Sequence, residues 1–377
     1  MMKKVFAVLI VFAFFIFGTN LISYATEEKI SSEILIDGNT GQVLYENNSD
    51  KPIHIGSLNK LMTVFIVAEC VESGELSLND ELTAGNNAFN ETGAVIWLET
   101  GEKMSVSDLL KGIIIGNAND ACIVFAEEIS GSEKDFVKLM NQKAKELGMK
   151  NTVFTDCKGT GSGNQYSTAY DMSLLTKELI EYDFLIPHMT TYIDELRNGA
   201  TQLVNINTLV RNYDGILGVK AGYSEKSGYS LSAAAKRGDS VFISIVIGCD
   251  EKEDCIKKGK SLLDKGFSSY ETIRPAVPKE LMSGVKVKNG TTKNILVKPE
   301  ILSETIIPID CSDDIEYKII LPECIEAPIL KNQKIGEISY YLYDNEIYKT
   351  NIIASESVEK MTFFNALLIL LKSTISF

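Results

Sequence analysis

Ser57 and Lys60 are the residues of this chain whose types and spacing point most directly to chemistry. They lie in Ile55-Gly56-Ser57-Leu58-Asn59-Lys60, which runs straight into the apolar stretch Leu61 to Ala68. If a helix begins at Ser57, residues three apart share a face, and a hydroxyl stands beside an amine. A helix that is apolar on nearly every side is buried. A lysine at its inner end then loses hydration, which disfavours the ammonium and lowers its pKa. Such an amine can take the serine proton. The helix start also supplies N–H groups and a positive dipole end where negative charge develops in acyl transfer. A capping serine followed by a surface lysine has the same spacing, so Ser-x-x-Lys alone is a weak signal.

Two further stretches add weight. Asn117-Ala118-Asn119-Asp120 sits between the apolar segments Gly112 to Gly116 and Ala121 to Ile129. Short amides at alternate positions there either point into a cleft or cap the following helix. The third stretch is Gly218-Val219-Lys220-Ala221-Gly222-Tyr223. Lys220 lies on a strand with small neighbours, and Ala221 and Gly222 leave room for a ligand backbone to approach. A lysine there can bind a carboxylate, or can guard a sheet edge.

The elements that must position these residues follow from pattern. Glu33 to Tyr45 gives two apolar runs around a Gly/Asn-rich turn, a β-hairpin. Gly74 to Asp80 and Gly85 to Thr100, which holds the only tryptophan, Trp97, are loops and short elements over the core. Helices are expected to start at Ser105, Ser132 and the Tyr166 to Asp171 segment, where a capping hydroxyl precedes an acid. Arg197-Asn198-Gly199 reads as a hairpin turn. Asp214 to Ser224, Gly228 to Lys236 and Ser240 to Gly248 are consecutive strands. After Tyr270, Pro275 and Pro278 mark a linker into a small β-rich region.

Composition narrows the function further. Met1-Met2-Lys3-Lys4, the apolar run Val5 to Phe17 and Ser23-Tyr24-Ala25 form a secretory signal peptide with cleavage expected after Ala25. Cleavage removes Lys3 and Lys4 and no acid, taking the formal charge from −14 to −16, so nucleic acid is excluded as a partner. With only His54 and His188 present, a zinc site and a Ser-His-Asp triad both lack material. No metal and no cofactor is expected. Seven cysteines are scattered without metal-ligand spacing. Cys70 and Cys122 read as small core residues. Cys249 with Cys255, or Cys311 with Cys324, are pairs that an oxidising compartment would allow. Met361 to Lys372 is too short to span a bilayer and carries a lysine at each end, which fits an amphipathic helix lying in a membrane interface.

Together, Ser57-Leu-Asn-Lys60, Asn117-Ala-Asn119 and Lys220-Ala-Gly222 resemble the Ser-x-x-Lys, Ser-x-Asn and Lys-Thr-Gly motifs of penicillin-binding proteins and serine β-lactamases, in the same order. The chain is closest in pattern to the low-molecular-mass penicillin-binding proteins that act as serine-type D-alanyl-D-alanine carboxypeptidases. Trp97 to Glu102, Tyr166 to Asp171, Asn205-Ile206-Asn207 and Gly228-Tyr229 support this, and the resemblance covers about Ile34 to Tyr270. It implies an α/β (α+β) transpeptidase-like domain, an antiparallel sheet with a helical subdomain, followed by a small all-β domain. The expected layout is signal peptide 1–25, carboxypeptidase domain 26–271, β-rich domain 272–354 and membrane-associating helix 355–377, on the outer face of a bacterial cytoplasmic membrane.

The resemblance implies that Ser57 attacks the penultimate D-alanine carbonyl of a peptidoglycan stem peptide, with Lys60 as base. N–H groups of Ser57 and Tyr223 would hold the oxyanion. Asn119 would hold a substrate amide, Lys220 would attract the terminal carboxylate, and β-lactams would trap Ser57. Three positions depart from the family pattern: Asn117 stands for serine, Ala221 for threonine and Gln165 for histidine. Asn117 cannot relay a proton as a hydroxyl does. The alternative reading is therefore a relative that binds stem peptide, or organises cell-wall partners, without efficient turnover. A β-lactamase is the weakest reading, since no glutamate is placed to activate a deacylating water.

Overall fold

Period-two alternation along the strands decides the architecture. In β1 (Ser32–Asp37), Ile34 and Ile36 enter one apolar cluster and Leu35 another. In β9 (Ser240–Cys249), Ile243, Ile245 and Ile247 join the first cluster while Phe242 and Val246 join the second. A sheet with both faces buried needs such continuous apolar runs. The chain is described by a computed structural model for residues 31–161, 164–364, 366 and 367. The expected signal peptide, residues 1–25, lies outside these residues.

The central sheet is five-stranded and antiparallel, in the order β2-β1-β9-β8-β7, with β2 at Val43–Asn47, β7 at Ile216–Ser224 and β8 at Gly228–Arg237. The expected hairpin and the three consecutive strands are all present. One face is covered by the terminal helix of this region, Lys252–Ser269. Against the other packs a helical layer. It comprises α1 (Lys60–Glu72), α2 (Asn86–Phe89), α3 (Val106–Ile114), α4 (Asn119–Ser130), α5 (Glu133–Glu146), α6 (Ala169–Leu179) and α7 (Ile186–Thr190). The helix Lys252–Ser269 is α8. Leu61 to Ala68 of α1 are all buried, as an apolar helix without a polar face requires. Three caps form where hydroxyls precede acids. The Ser105, Ser132 and Thr168 oxygens accept from the backbone N–H of Asp108, Asp135 and Asp171 at 3.1, 3.2 and 3.0 Å. Each such cap contributes about 1 kcal/mol. Two ribbons flank the layer: β3 (Glu81–Thr83) with β4 (Lys103–Ser105), and β5 (Ile193–Leu196) with β6 (Thr201–Val204). The latter turns at Arg197-Asn198-Gly199, all with positive φ.

Beyond α8, β10 (Tyr270–Ile273) pairs with β14 (Thr305–Pro308). The β-rich region follows. β13 (Val297–Pro299), β18 (Asn345–Ala354), β17 (Lys334–Leu342) and β15 (Ile315–Ile320) form one sheet. β12 (Asn294–Ile295), β11 (Val285–Lys288) and β16 (Cys324–Glu326) form another. Ile295, Ile338, Tyr340, Ile352 and Val358 fill its core. Val358 and Lys360 are bridged to Ile329 and Gly290, so the start of the expected 355–377 helix belongs to this β structure. Helix is present at Phe363, Phe364, Ala366 and Leu367, and residues 368–377 lie outside the described ones. Among the described residues no helix is long and apolar enough to cross a membrane. All seven cysteines are free thiols, so neither candidate disulfide forms.

Candidate active site

The helix expected from Ser57 starts as a 3₁₀ turn, Gly56–Asn59, and becomes α1 at Lys60. Residues i and i+3 eclipse in a 3₁₀ turn, so Ser57 and Lys60 still share a face. The turn is wedged against β7, and glycine on both sides permits it. A Cβ on Gly56 would overlap the carbonyl oxygen of Tyr223. One on Gly222 would stand 3.1 Å from the Leu58 nitrogen and 3.2 Å from Ser57 Cβ. His54 fastens the same seam: its Nδ1 accepts from the Gly56 N–H at 3.3 Å and meets Ser224 Oγ at 2.8 Å. Ser57, as the second residue of the turn, has a backbone N–H without an intrahelical acceptor.

Both lysines are buried, each about 1 % exposed, and neither meets a carboxylate among the described residues. Lys60 Nζ donates to the carbonyl of Lys158 at 2.6 Å. Lys220 Nζ donates to the carbonyl of Ile113 at 2.8 Å and reaches that of Ile114 at 3.4 Å. Burial lowers the pKa of Lys60, partly opposed by the nearby Cys122 and Cys157. Burial, then repulsion from Lys60, brings Lys220 down to about 7. Burial thus disfavours the charged form of both amines. No hydrogen bond joins Lys60 Nζ to Ser57 Oγ. The serine hydroxyl instead accepts from Asn117 Nδ2 at 3.1 Å.

Asn117 has φ 62, a left-handed conformation that asparagine tolerates better than most residues. Its Oδ1 is buried without a partner among the described residues, and so is that of Asn119. Asn119 Nδ2 donates to Thr92 O at 2.8 Å and its backbone N–H to Ala94 O at 2.7 Å. Asp120 begins α4 with a buried carboxylate that accepts from the N–H groups of Ile96 and Leu98 at 3.0–3.1 Å. The second motif therefore carries the 92–98 loop with it.

Ser57, Lys60, Asn117, Lys220 and Gly222 converge on one site. Tyr223 is half-exposed beside them. Ala221 alternates to the other face of β7, where its methyl is buried in the apolar cluster that contains Leu209, Tyr213 and Leu231. Gln165 is buried behind the turn, its Oε1 accepting from Asn59 Nδ2 at 2.9 Å. Sequence reasoning missed Lys158, whose carbonyl anchors Lys60. Its ammonium is held by Glu91 at 2.7 Å and Glu133 at 3.3 Å. Gly159, with φ 84, packs where a Cβ would overlap the Gly56 carbonyl. The Lys158-Gly159 pair is thus the available signal for a loop pressed against the serine turn.

A family model described as D-alanyl-D-alanine carboxypeptidase matches residues 22–251. The chain belongs to this family. A second model, described as the C-terminal domain of penicillin-binding protein 5, matches residues 270–360, the β-rich region. D-alanyl-D-alanine carboxypeptidase DacF of Bacillus subtilis (strain 168) is 36% identical over 343 residues, covering 90% of this chain and 88% of its own. Among solved structures, penicillin binding protein 5 from Haemophilus influenzae superposes with a TM-score of 0.77 at 27% identity. It covers 87% of this chain and 97% of its own. Penicillin-binding protein D2 from Listeria monocytogenes, solved in its ampicillin-bound form, gives a TM-score of 0.57 at 31% identity, over 63% of this chain and 96% of its own. The fold expected of this carboxypeptidase family, a sheet with a helical layer and an appended β domain, is the fold found.

Proposed function

We propose that this D-alanyl-D-alanine carboxypeptidase works through Ser57, removing the terminal D-alanine from peptidoglycan stem peptides by way of an acyl-enzyme. The observation that carries the reading is the Ser57 hydroxyl on the same face as a buried Lys60 whose ammonium makes no ion pair among the described residues, with Gly222 of the third motif packed against the serine. Neutral Lys60 takes the serine proton as Oγ bonds to the penultimate D-alanine carbonyl. The N–H groups of Ser57 and Tyr223 hold the oxyanion. Expulsion of D-alanine requires a proton on its nitrogen, which protonated Lys60 returns. Water then attacks the ester. The unpartnered Oδ1 of Asn119 suits a substrate N–H, and Lys220 attracts the terminal carboxylate.

β-Lactams would acylate the same serine, in line with the ampicillin-bound relative from Listeria. Export through the 1–25 signal peptide and attachment to the outer face of the cytoplasmic membrane through the chain's end complete the reading. Its support is the basic and apolar N-terminus and the exposed Phe363 and Phe364. Vesicle co-sedimentation of the chain with and without residues 361–377 tests the attachment, which is wrong if both sediment equally.

The experiment for the reaction is mass spectrometry after incubation with penicillin, beside Ser57→Ala, followed by D-alanine release from a peptide ending in D-Ala-D-Ala. An adduct on Ser57 together with release is expected. An adduct without release would favour the second reading, a binding protein, which Asn117 keeps open. No adduct would sink both.

A further inference from the structure

Trp97 is the sole tryptophan of the chain and is 73% exposed. Its φ is 57, a left-handed value that is rare and unfavourable for a bulky residue. The backbone on both sides is locked. Buried Asp120 accepts from the N–H groups of Ile96 and Leu98. Arg197, from the turn between β5 and β6, donates to Ile96 O at 2.9 Å and Trp97 O at 3.4 Å. The same guanidinium grips Glu102 through two nitrogens at 2.7 and 3.1 Å. Ile96 and Leu98 point inward and are buried, so the intervening indole is turned outward. A glycine or asparagine would make this turn without strain. Two charged residues instead hold a tryptophan in it, and an outlier so over-determined points to a use for the side chain.

The loop is coupled to the second motif, because Asn119 bonds Thr92 O and Ala94 O and Asp120 bonds the residues either side of Trp97. Its chemistry selects a ligand class. Residues 84–102 include a second exposed aromatic, Phe89, and the amides Asn86, Asn87 and Asn90. Its charges are Glu91, Glu99 and Glu102 with no lysine or arginine. Glu91 and Glu102 are neutralised by Lys158 and Arg197, so aromatic faces interleaved with amides and hydroxyls are left to meet a ligand, and they suit an uncharged, hydroxyl-rich one with apolar ring faces.

We propose that Trp97 is a stacking platform for the neutral N-acetylated sugar chain from which the stem peptide hangs, so that the enzyme favours glycan-borne over free peptide. The substrate identity rests on the carboxypeptidase reading above. Trp97 lies on the loop that Asn119 and Asp120 hold to the second motif, and the glycan would run across it while the peptide enters toward Ser57.

The sole indole reports on itself. Tryptophan emission of the protein is titrated with a β-1,4-linked N-acetylglucosamine hexamer, and kcat/KM is measured on glycan-borne and glycan-free peptides for the native chain and Trp97→Gly, which keeps the left-handed turn. A saturable emission change is expected, along with a fall of about three- to tenfold in the ratio of glycan-borne to glycan-free kcat/KM in the variant. Unchanged emission at millimolar sugar, or an unaltered ratio, overturns the platform. If the native chain releases no D-alanine from either peptide, the carboxypeptidase reading fails separately. The sugar titration, which needs no turnover, still decides the platform.

Discussion

Lys220→Met should make the protein more stable while impairing its turnover, and the gain should shrink as pH rises. In the folded state Lys220 is displaced from 10.5 to about 7, first by burial and then by Lys60. At about 1.4 kcal/mol per pH unit, this amounts to a penalty of about 5 kcal/mol at most. The sign follows from linkage. Below pH 7 the lysine is protonated folded and unfolded, and the folded state bears the whole penalty. Between 7 and 10.5 the folded amine is neutral while the unfolded one is still charged, so the penalty falls by about 1.4 kcal/mol per pH unit. Methionine removes the penalty but leaves the Ile113 carbonyl without its donor, which costs about 1–3 kcal/mol. The net gain at pH 6 should therefore be about 2–4 kcal/mol. Packing offsets cancel between pH values, because methionine does not titrate. The variant's advantage should thus be about 3 kcal/mol smaller at pH 9 than at pH 6. Urea unfolding followed by circular dichroism at both pH values measures this, and D-alanine release measures the accompanying loss. An advantage that is the same at pH 6 and pH 9 refutes the claim that burial depresses this amine.

Gly222→Ala puts a methyl 3.1–3.3 Å from Leu58 and Ser57 atoms. Unfolding titrations should show a loss of about 1–3 kcal/mol, and acylation by penicillin should slow by about tenfold as Ser57 shifts by tenths of an ångström. Lys158→Gln strips Glu91 and Glu133 of their cation and loosens the carbonyl that anchors Lys60. A loss of about 1–3 kcal/mol and a slower acylation in stopped-flow mixing are expected, while an unchanged rate would mean the anchor is indifferent to the ion pair. Asn117→Ser trades an amide that tolerates φ 62 for a hydroxyl. Stability should fall by about 1 kcal/mol, and D-alanine release should rise if the missing hydroxyl limits turnover.

The parts legible in the sequence were those written in short-range pattern. The hairpin of β1 and β2, the capped starts of α3, α5 and α6, and the strands β7 to β9 follow from periodicity and local cap chemistry, which depend on neighbours a few residues away. The Lys158 anchor was not legible. Glu91 and Lys158 are 67 residues apart, and an ion pair between two loops leaves no periodic trace. The 3₁₀ start at Gly56 was hidden for a related reason. Its left-handed φ is set by β7 pressing against it, a contact across the fold rather than along the chain. Ala221 is different, because the information was present. On a strand, Lys220 and Gly222 share one face and Ala221 takes the other, so its methyl belongs with Leu209 and Tyr213.

Asn117 then acquires a physical meaning beyond substitution. Its amide donates to Ser57 Oγ, which occupies a lone pair of that oxygen and leaves the hydroxyl proton to be directed elsewhere. Lys60 shares the serine's face and burial disfavours its charged form, so its amine is the acceptor at hand once it has lost its proton. An amide neither takes up nor gives up a proton at neutral pH. If Ser57 is the nucleophile, the proton removed in acylation therefore cannot pass through residue 117 to the departing D-alanine. It must return from Lys60, or be replaced through Lys220, the other amine in the site. Proton movement is thereby confined to two buried lysines, one of which lowers the pKa of the other. Its dependence on pH is set by how deeply those amines are buried, and not by a hydroxyl relay.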